Sequence, residues 1–101
     1  MNGILPGYNE KRIQVSGNGM ITKLLLEYLG MRGKLPDLIG NLSSLTALDA
    51  LNNDLTHIPD TIGNLSSLTR LDVHNNPITS TRAGKDEVRR RFGRVGLDLH
   101  V

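Results

Sequence analysis

The stretch LPDLIGNLSSLTALDALNNDLTH, residues 35–57, is followed directly by IPDTIGNLSSLTRLDVHNNPITS, residues 58–80. The two stretches share IGNLSSLT without a single change, and they align at an offset of about 23 residues. Fainter copies of the same apolar spacing lie on either side, in ITKLLLEYLGM (21–31) and FGRVGLDLH (92–100). The sequence therefore predicts about four turns of one supersecondary unit.

The spacing within one copy predicts a short strand with one buried face. In LTALDALNN, Leu48 and Ala50 alternate with Ala47 and Asp49, so the first pair is expected to point inward and the second outward. After the strand, the Asn53 amide can satisfy backbone polar groups, and amide stacked on amide would tie successive copies together. Each copy leaves an apolar top and bottom that a similar copy can cover, which explains the repetition.

These residues resemble the leucine-rich repeat family, whose pattern LxxLxLxxNxLxxLPxxIxxLxx runs through most of the chain. The resemblance implies an α/β fold: a solenoid with a short parallel sheet on its concave face and loops or 3-10 turns on its convex face. It also implies protein or peptide ligands. We expect one domain over residues 1–101, with a cap hairpin at 1–20, repeats at 21–80, and a helix and final strand at 81–101.

The segment GNGMITKLLLEYLGMRGKLPDLIGNLSSLTAL resembles the start of plant-type repeat domains, where a strand hairpin precedes the first LxxLxL. Here the hairpin would join residues 12–16 to residues 20–26. Asn18-Gly19 between them is a signal for a type I′ turn. Such a hairpin would shield the first repeat from water.

The stretch TRAGKDEVRRRFG, from Thr81 to Gly93, predicts one short C-terminal helix that stops at the glycine. Beyond it the chain alternates again from Val95 to Val101, which predicts an apolar strand at a sheet edge. We expect this edge to be covered. A homodimer through Val95 to Val101, or further sequence, would cover it.

Composition narrows the function classes. None of the 101 residues is cysteine, so no disulfide or thiolate metal site is expected, and a reducing, cytoplasmic location is the simpler expectation. No apolar run approaches the ~20 residues of a membrane span, so no membrane partner is expected. Only three residues are aromatic, which disfavours nucleic-acid stacking surfaces. No motif predicts a cofactor.

The outward face of the predicted strands is the candidate site, and we expect it to bind a protein or peptide whose identity the sequence does not give. An apolar spot at Leu25, Tyr28 and Leu51, close to an arginine, is where binding energy tends to concentrate. The residues expected to contact the partner are Lys23, Leu25, Glu27, Tyr28, Asp49, Leu51, Asn52, Arg70, Asp72 and His74.

A small hydrolase is an alternative. Asp49 and Asp72 occupy equivalent positions, so parallel strands would place them about 4.8 Å apart, close to the carboxylate separation of a retaining glycosidase. We nevertheless expect no enzyme, because a strand face is shallow and wet whereas such catalysis needs a pocket. The three histidines, His57, His74 and His100, fall at different phases of the repeat and predict surface positions rather than a metal site.

The last fifth of the chain is rich in cations. Basic side chains at the end of a helix favour its dipole and often only solvate a surface. The alternative is an acidic partner, protein or nucleic acid, with nucleic acid the less favoured of the two. The residues concerned are Arg82, Lys85, Arg89, Arg90, Arg91 and Arg94.

Overall fold

A computed structural model describes residues 12–101 of the chain. The part of the predicted cap that falls on residues 1–11 lies outside the described residues. The fold is a small α/β arrangement with a mixed five-stranded sheet, a two-stranded sheet and one α-helix over the described range. Across residues 12–101, no helix combines the length and the hydropathy that crossing a bilayer would need.

The strands are short, and their bounds follow the repeats. The larger sheet has the order β1-β2-β4-β6-β7, in which β1 runs antiparallel to β2 and the remaining pairs are parallel. The smaller sheet pairs β3 with β5 in parallel. The strands are β1 (Ile13–Val15), β2 (Ile21–Leu25), β3 (Arg32–Lys34), β4 (Ala47–Asp49), β5 (Asp54–His57), β6 (Arg70–Asp72) and β7 (Asp98–His100).

Strand register places equivalent residues of successive repeats side by side. Leu24 pairs with Leu48, Leu48 with Leu71, and Leu71 with Leu99. The side chains predicted to point inward are buried, with Leu48, Ala50, Leu71 and Val73 each 0% exposed. Because β2, β4, β6 and β7 each add a leucine to the same line, the core is a continuous apolar column behind the sheet.

The return segments contain 3-10 helices at Asp37–Asn41, Asp60–Asn64 and Pro77–Thr79. The first two begin after Pro36 and Pro59, whose fixed φ suits the residue before a helical turn. Ile39 and Ile62 are buried in these helices and complete the core on the side away from the larger sheet.

The Asn53 amide is buried and bonds backbone groups on two sides. Its Oδ1 accepts hydrogen bonds from the N–H groups of Leu29 and Met31, each at 3.1 Å. Its Nδ2 donates to the carbonyl of Leu26 at 2.8 Å and also to two carbonyls of its own repeat. One side chain thus satisfies polar groups of the preceding segment that the sheet leaves unpaired.

Asn76 does the same one repeat later. It accepts from the Leu55 N–H at 3.0 Å and donates to the carbonyl of Ala50 at 3.0 Å. Asn53 and Asn76 tie successive copies together as predicted, but they do not bond each other: both donate to the Ala50 carbonyl, and their other hydrogen bonds also go to the backbone. Amide bonds amide at the exposed neighbours instead, where Asn75 Nδ2 donates to Asn52 Oδ1 at 2.8 Å.

The hairpin of β1 and β2 is present, but its turn is not the predicted type I′. That type needs positive φ at both Asn18 and Gly19, and only Gly19 has it, at 84°. The Gly19 N–H donates to the Ser16 carbonyl at 3.0 Å, and the Ser16 N–H donates to the Met20 carbonyl at 2.8 Å. This is a three-residue loop in which Gly19 takes the left-handed position.

The helix α1 spans Arg82–Phe92, as the sequence predicts. The Thr81 side chain accepts from the Gly84 N–H at 3.0 Å and caps its start, and Gly93 follows its last residue. Val88 and Phe92, four residues apart, are both buried against the core. These two contacts fix which face of α1 packs inward.

Arg91, near the end of α1, and Arg94, just beyond it, bond the backbone of the preceding repeat. Arg91 donates to the carbonyl of Ile58 at 2.7 Å, and Arg94 donates to the carbonyls of Leu65 and Leu68 at 2.6 and 3.0 Å.

Two more of the predicted cations are paired within the helix itself, Arg89 with Asp86 and Arg90 with Glu87. Four of the six basic residues therefore have partners inside the molecule.

The shared IGNLSSLT stretch places its glycine in two different surroundings. A Cβ on Gly40 would lie 2.5 Å from Thr61 Cβ and 2.8 Å from the Thr61 carbonyl oxygen. A Cβ on Gly63 would meet only Phe92 Cδ1, at 4.0 Å. The difference arises because the segment next to Gly63 is α1, whereas the one next to Gly40 is another 3-10 helix.

We predict opposite effects for the same substitution in the two copies. Gly63→Ala should raise the free energy of unfolding by about 0.4–1 kcal/mol, because alanine restricts the unfolded chain without a clash. Gly40→Ala should lower it by about 1–3 kcal/mol, because Thr61 has to move. Urea unfolding of both variants measures this, and equal effects would contradict the packing described for Gly40.

Removing the Asn53 amide should be costly. Asn53→Ala leaves the N–H groups of Leu29 and Met31 without their acceptor, so we expect the free energy of unfolding to fall by about 3 kcal/mol. Asn41→Ala, at an exposed position of the same repeat, should change it by less than about 0.5 kcal/mol. Thermal and urea unfolding of the pair would show whether the loss is specific to the buried amide.

Candidate site on the strand face

Alternate side chains of β2, β4, β6 and β7 point away from the core. We call this surface the strand face. Its rows follow the strand register, so that Ala47, Arg70 and Asp98 form one row and Asp49, Asp72 and His100 form the next. Residues far apart in sequence thus become lateral neighbours, which is what allows short strands to build a shared site.

Arg70 is the centre of a polar cluster on the strand face. Its Nε donates to Asp49 Oδ1 at 3.0 Å and its Nη2 donates to Asp72 Oδ2 at 3.1 Å. Its Nη1 lies 3.5 Å from Asp98 Oδ2. The Arg70 side chain is still 38% exposed, so three carboxylates orient it without covering it.

The same contacts bear on the hydrolase alternative. A retaining mechanism needs an open gap between two carboxylates, into which the scissile bond can enter. Between Asp49 and Asp72 that gap is filled by the Arg70 guanidinium, which bonds both. The two carboxylates therefore orient one cation between them.

Asp72 does not face solvent, contrary to the sequence-based expectation. Its side chain is only 4% exposed, and besides Arg70 it bonds both the backbone N–H and Nδ1 of His74. The side chains of Arg70 and His74 lie over it, so Asp72 supports those two residues and is not itself a contact surface. Among the ten predicted residues, the structure brings together Asp49, Arg70, Asp72 and His74.

Asp98 and His100 belong to the same cluster, although the predicted set of contact residues omits them. His100 Nε2 lies 3.1 Å from Arg70 Nη1 and 3.0 Å from Asp98 Oδ1. In any one tautomer that nitrogen either accepts from Arg70 or donates to Asp98. The sequence could have predicted that both residues lie on the strand face, because they alternate with leucines in the final strand.

His57 is exposed and His74 and His100 are partly exposed, in agreement with the predicted surface positions. Two of them contact the Arg70–Asp72 pair: His74 Nδ1 bonds Asp72 Oδ1, and His100 Nε2 lies 3.1 Å from Arg70 Nη1. Arg70 and Asp98 are 28 residues apart, because α1 lengthens the return segment, and counting in steps of 23 misplaces His100. Within residues 12–101, no group of three or more metal-binding side chains could hold an ion.

Tyr28 occupies an unusual backbone conformation at the end of β2. Its φ is 57°, and the equivalent residues Asn52 and Asn75 have φ of 56° and 55°. Asparagine tolerates this left-handed region, whereas for a residue with a bulky side chain it costs roughly 1–2 kcal/mol. The Tyr28 side chain is 71% exposed, so no burial offsets that cost.

The remaining predicted residues lie on or just after β2 and β4. Leu25 and Leu51, which complete the predicted apolar spot, are partly exposed, and Lys23 is exposed in the row of Ala47 and Arg70. The Glu27 carbonyl accepts a hydrogen bond from Arg12 Nη1 at 2.7 Å, which holds the chain between β2 and Tyr28. The strand face thus carries Lys23, Leu25 and Tyr28 at its β2 end and Arg70, Asp98 and His100 at its β6 and β7 end.

An open cleft of about 860 Å³ lies beyond the carboxyl ends of β6 and β7. Its lining mixes His74 and His100 with Lys85 and Arg89 of α1 and with Leu99. In the described part of the chain, every buried side-chain nitrogen and oxygen has a hydrogen-bond partner within the protein. In that part, the cleft therefore contains no buried, unpaired side-chain atom that would indicate a ligand. The strand face remains the stronger candidate.

Comparison with known proteins adds no assignment. No family model matches this chain, and no curated protein or solved structure matches it. What the strand face does must be argued from its own residues.

The Asp98 carboxyl gives a direct test of the cluster. A hydrogen bond from His100 lowers the pKa of Asp98 below its usual 3.8, partial burial opposes this, and the charges of His100 and Arg70 lower the pKa further. Because the folded-state pKa is depressed, the stabilisation from Asp98 is present above pH 3.8 and is lost as pH falls through the folded-state pKa.

We expect a carbon-detected NMR titration of the Asp98 carboxyl to give a midpoint below 3.8. His100→Ala should move that midpoint upward, because it removes the largest cause of the shift. His57→Ala, which removes an imidazole outside the cluster, should leave it in place. A wild-type midpoint at or above 3.8 would contradict the contact between Asp98 and His100.

Proposed function

We propose that this chain is a leucine-rich repeat module, a short solenoid that binds a protein or peptide on its strand face. Three features support the solenoid part of the proposal. Parallel strands pair in sequence order through equivalent residues. The buried Asn53 and Asn76 bond the backbone of the preceding segment. The return segments use 3-10 helices.

The observation that carries the binding proposal is the exposed, strained Tyr28. A left-handed aromatic residue destabilises the fold, and strain of this kind is found where surrounding structure imposes it for a purpose such as holding a ligand. Tyrosine also provides a large, rigid contact surface and is enriched among the residues that dominate interface energies. On this proposal Tyr28, with Leu25 and Leu51, is the apolar anchor for the partner.

Arg70 supplies the second anchor. An arginine is enriched at energetically important interface positions, and its side chain loses less entropy on binding if it is already oriented. Asp49 and Asp72 hold the guanidinium in place, and the exposed part of Arg70 remains free to contact a partner. The face therefore offers an apolar contact at one end and a fixed cation among carboxylates at the other.

Binding suits this surface better than catalysis. The carboxylate pair that an enzyme would use is bridged by Arg70. We propose a binding module without a cofactor, whose ligand is an extended or loop segment of another protein.

Tyr28→Asn separates binding from folding. Asparagine suits the left-handed backbone and places an amide next to Asn52, so we expect the free energy of unfolding to rise by about 1 kcal/mol. Peptides selected from a displayed library on the wild-type protein should bind this variant at least about tenfold more weakly, since the aromatic anchor is gone. Fluorescence polarisation of the selected peptides measures the affinity.

Leu38→Ala is the matched control. Leu38 is 73% exposed but lies in the 3-10 helix of the return segment, so its removal should leave peptide affinity unchanged. If selected peptides bind Tyr28→Asn and wild type equally, and Leu38→Ala weakens them, the partner surface is the return side and not the strand face.

A further inference from the structure

The outer edge of β7 carries backbone groups that point away from the rest of the sheet. The Asp98 N–H donates to the Thr69 carbonyl at 2.8 Å, and the His100 carbonyl accepts from the Val73 N–H at 2.9 Å. Both residues therefore direct their backbone toward β6. Because direction alternates along a strand, the N–H and carbonyl of Leu99 point outward, where residues 12–101 supply no pairing strand.

The side chains along this edge are apolar on the core side. Leu97, Leu99 and Val101 pack against the core but are only partly buried, and the nearby Val95 is fully exposed. An unpaired strand with apolar side chains is a template for another strand. On the opposite side of β7, the strand face, Asp98 and His100 carry complementary polar groups.

We propose that two copies of this chain associate by antiparallel pairing of β7 with β7 about a two-fold axis at Leu99. Each Leu99 would donate its N–H to, and accept from, Leu99 of the second copy, as in a hydrogen-bonded antiparallel pair. This register sets Asp98 opposite His100 and Leu97 opposite Val101, each twice. All outward backbone groups at the centre of β7 are then satisfied.

Complementarity between a carboxylate acceptor and an imidazole donor selects this register over its neighbours. With the axis at Asp98, two carboxylates would face each other, and with the axis at His100, two imidazoles would. Two carboxylates directly opposite destabilise a sheet, and two imidazoles lose the donor–acceptor match that Asp98 and His100 make. Of these registers, only the one with its axis at Leu99 sets a carboxylate opposite an imidazole on the strand face. On the core side it sets leucine opposite leucine or valine.

The interface is small, because the strand has three residues. It falls well short of the ~1,200 Å² that a stable protein interface buries, so we expect weak association, visible near millimolar concentration. Sedimentation equilibrium over a dilution series measures it. A strict monomer at the highest concentration would overturn the proposal.

Two complementary variants test the register. Asp98→Lys places a lysine opposite His100, and His100→Glu places a glutamate opposite Asp98, so each variant alone should associate about tenfold more weakly than wild type. When the two are mixed in equal amounts, the introduced lysine of one variant faces the introduced glutamate of the other, and association should return to about the wild-type level. Unchanged association of the single variants, or a mixture that associates no more tightly than its components, would refute this pairing.

A second measurement avoids substitution altogether, because Asp98→Lys also faces Arg70 and could lower stability. In a mixture of differently isotope-labelled wild-type chains, antiparallel pairing about Leu99 brings the α proton of Asp98 next to that of His100 in the other molecule. An isotope-filtered NOE between these two protons is the expected result. Association without this NOE, and with contacts between other surfaces, would overturn the β7 proposal.

Discussion

The fold depends on two buried asparagine amides. A chain that leaves a strand and turns while packed on both sides carries backbone N–H and carbonyl groups that neither water nor the sheet can satisfy. Asn53 and Asn76 satisfy these groups in the preceding segment and in their own repeat at once. Each amide thus fixes the position of one repeat relative to the one before it, and strand register follows.

That register explains how a strand of three residues can contribute to a site. The backbone hydrogen bonds of the sheet set the spacing of the side chains on the strand face. Arg70 therefore contacts Asp49 and Asp98 although neither lies near it in sequence. Tyr28 is the exception to the pattern. It stands in a column where Asn52 and Asn75 form an amide contact, and the fold accepts a less favourable residue there.

Much of the fold could be predicted from the sequence because the relevant signals are local. The alternation of apolar and polar residues predicts that Leu48 and Leu71 are buried, and both are. Thr81 and Gly93 predict where α1 begins and ends. The site was less predictable because its details depend on neighbouring segments. Asp72 is buried by side chains that lie over it, and His100 enters the cluster only because α1 changes the spacing. Gly40 and Gly63 have the same local sequence and different neighbours, so no local rule distinguishes them.

The lengths of the return segments have a consequence for how such a chain can vary. Thr22 and Thr46 are 24 residues apart, Thr46 and Thr69 are 23 apart, and Arg70 and Asp98 are 28 apart, yet each pair lies on adjacent strands. Extra residues in the last interval are absorbed as a helix on the far side without displacing the strand face. We therefore expect insertions on that side to change the length of the chain without moving the residues of the strand face.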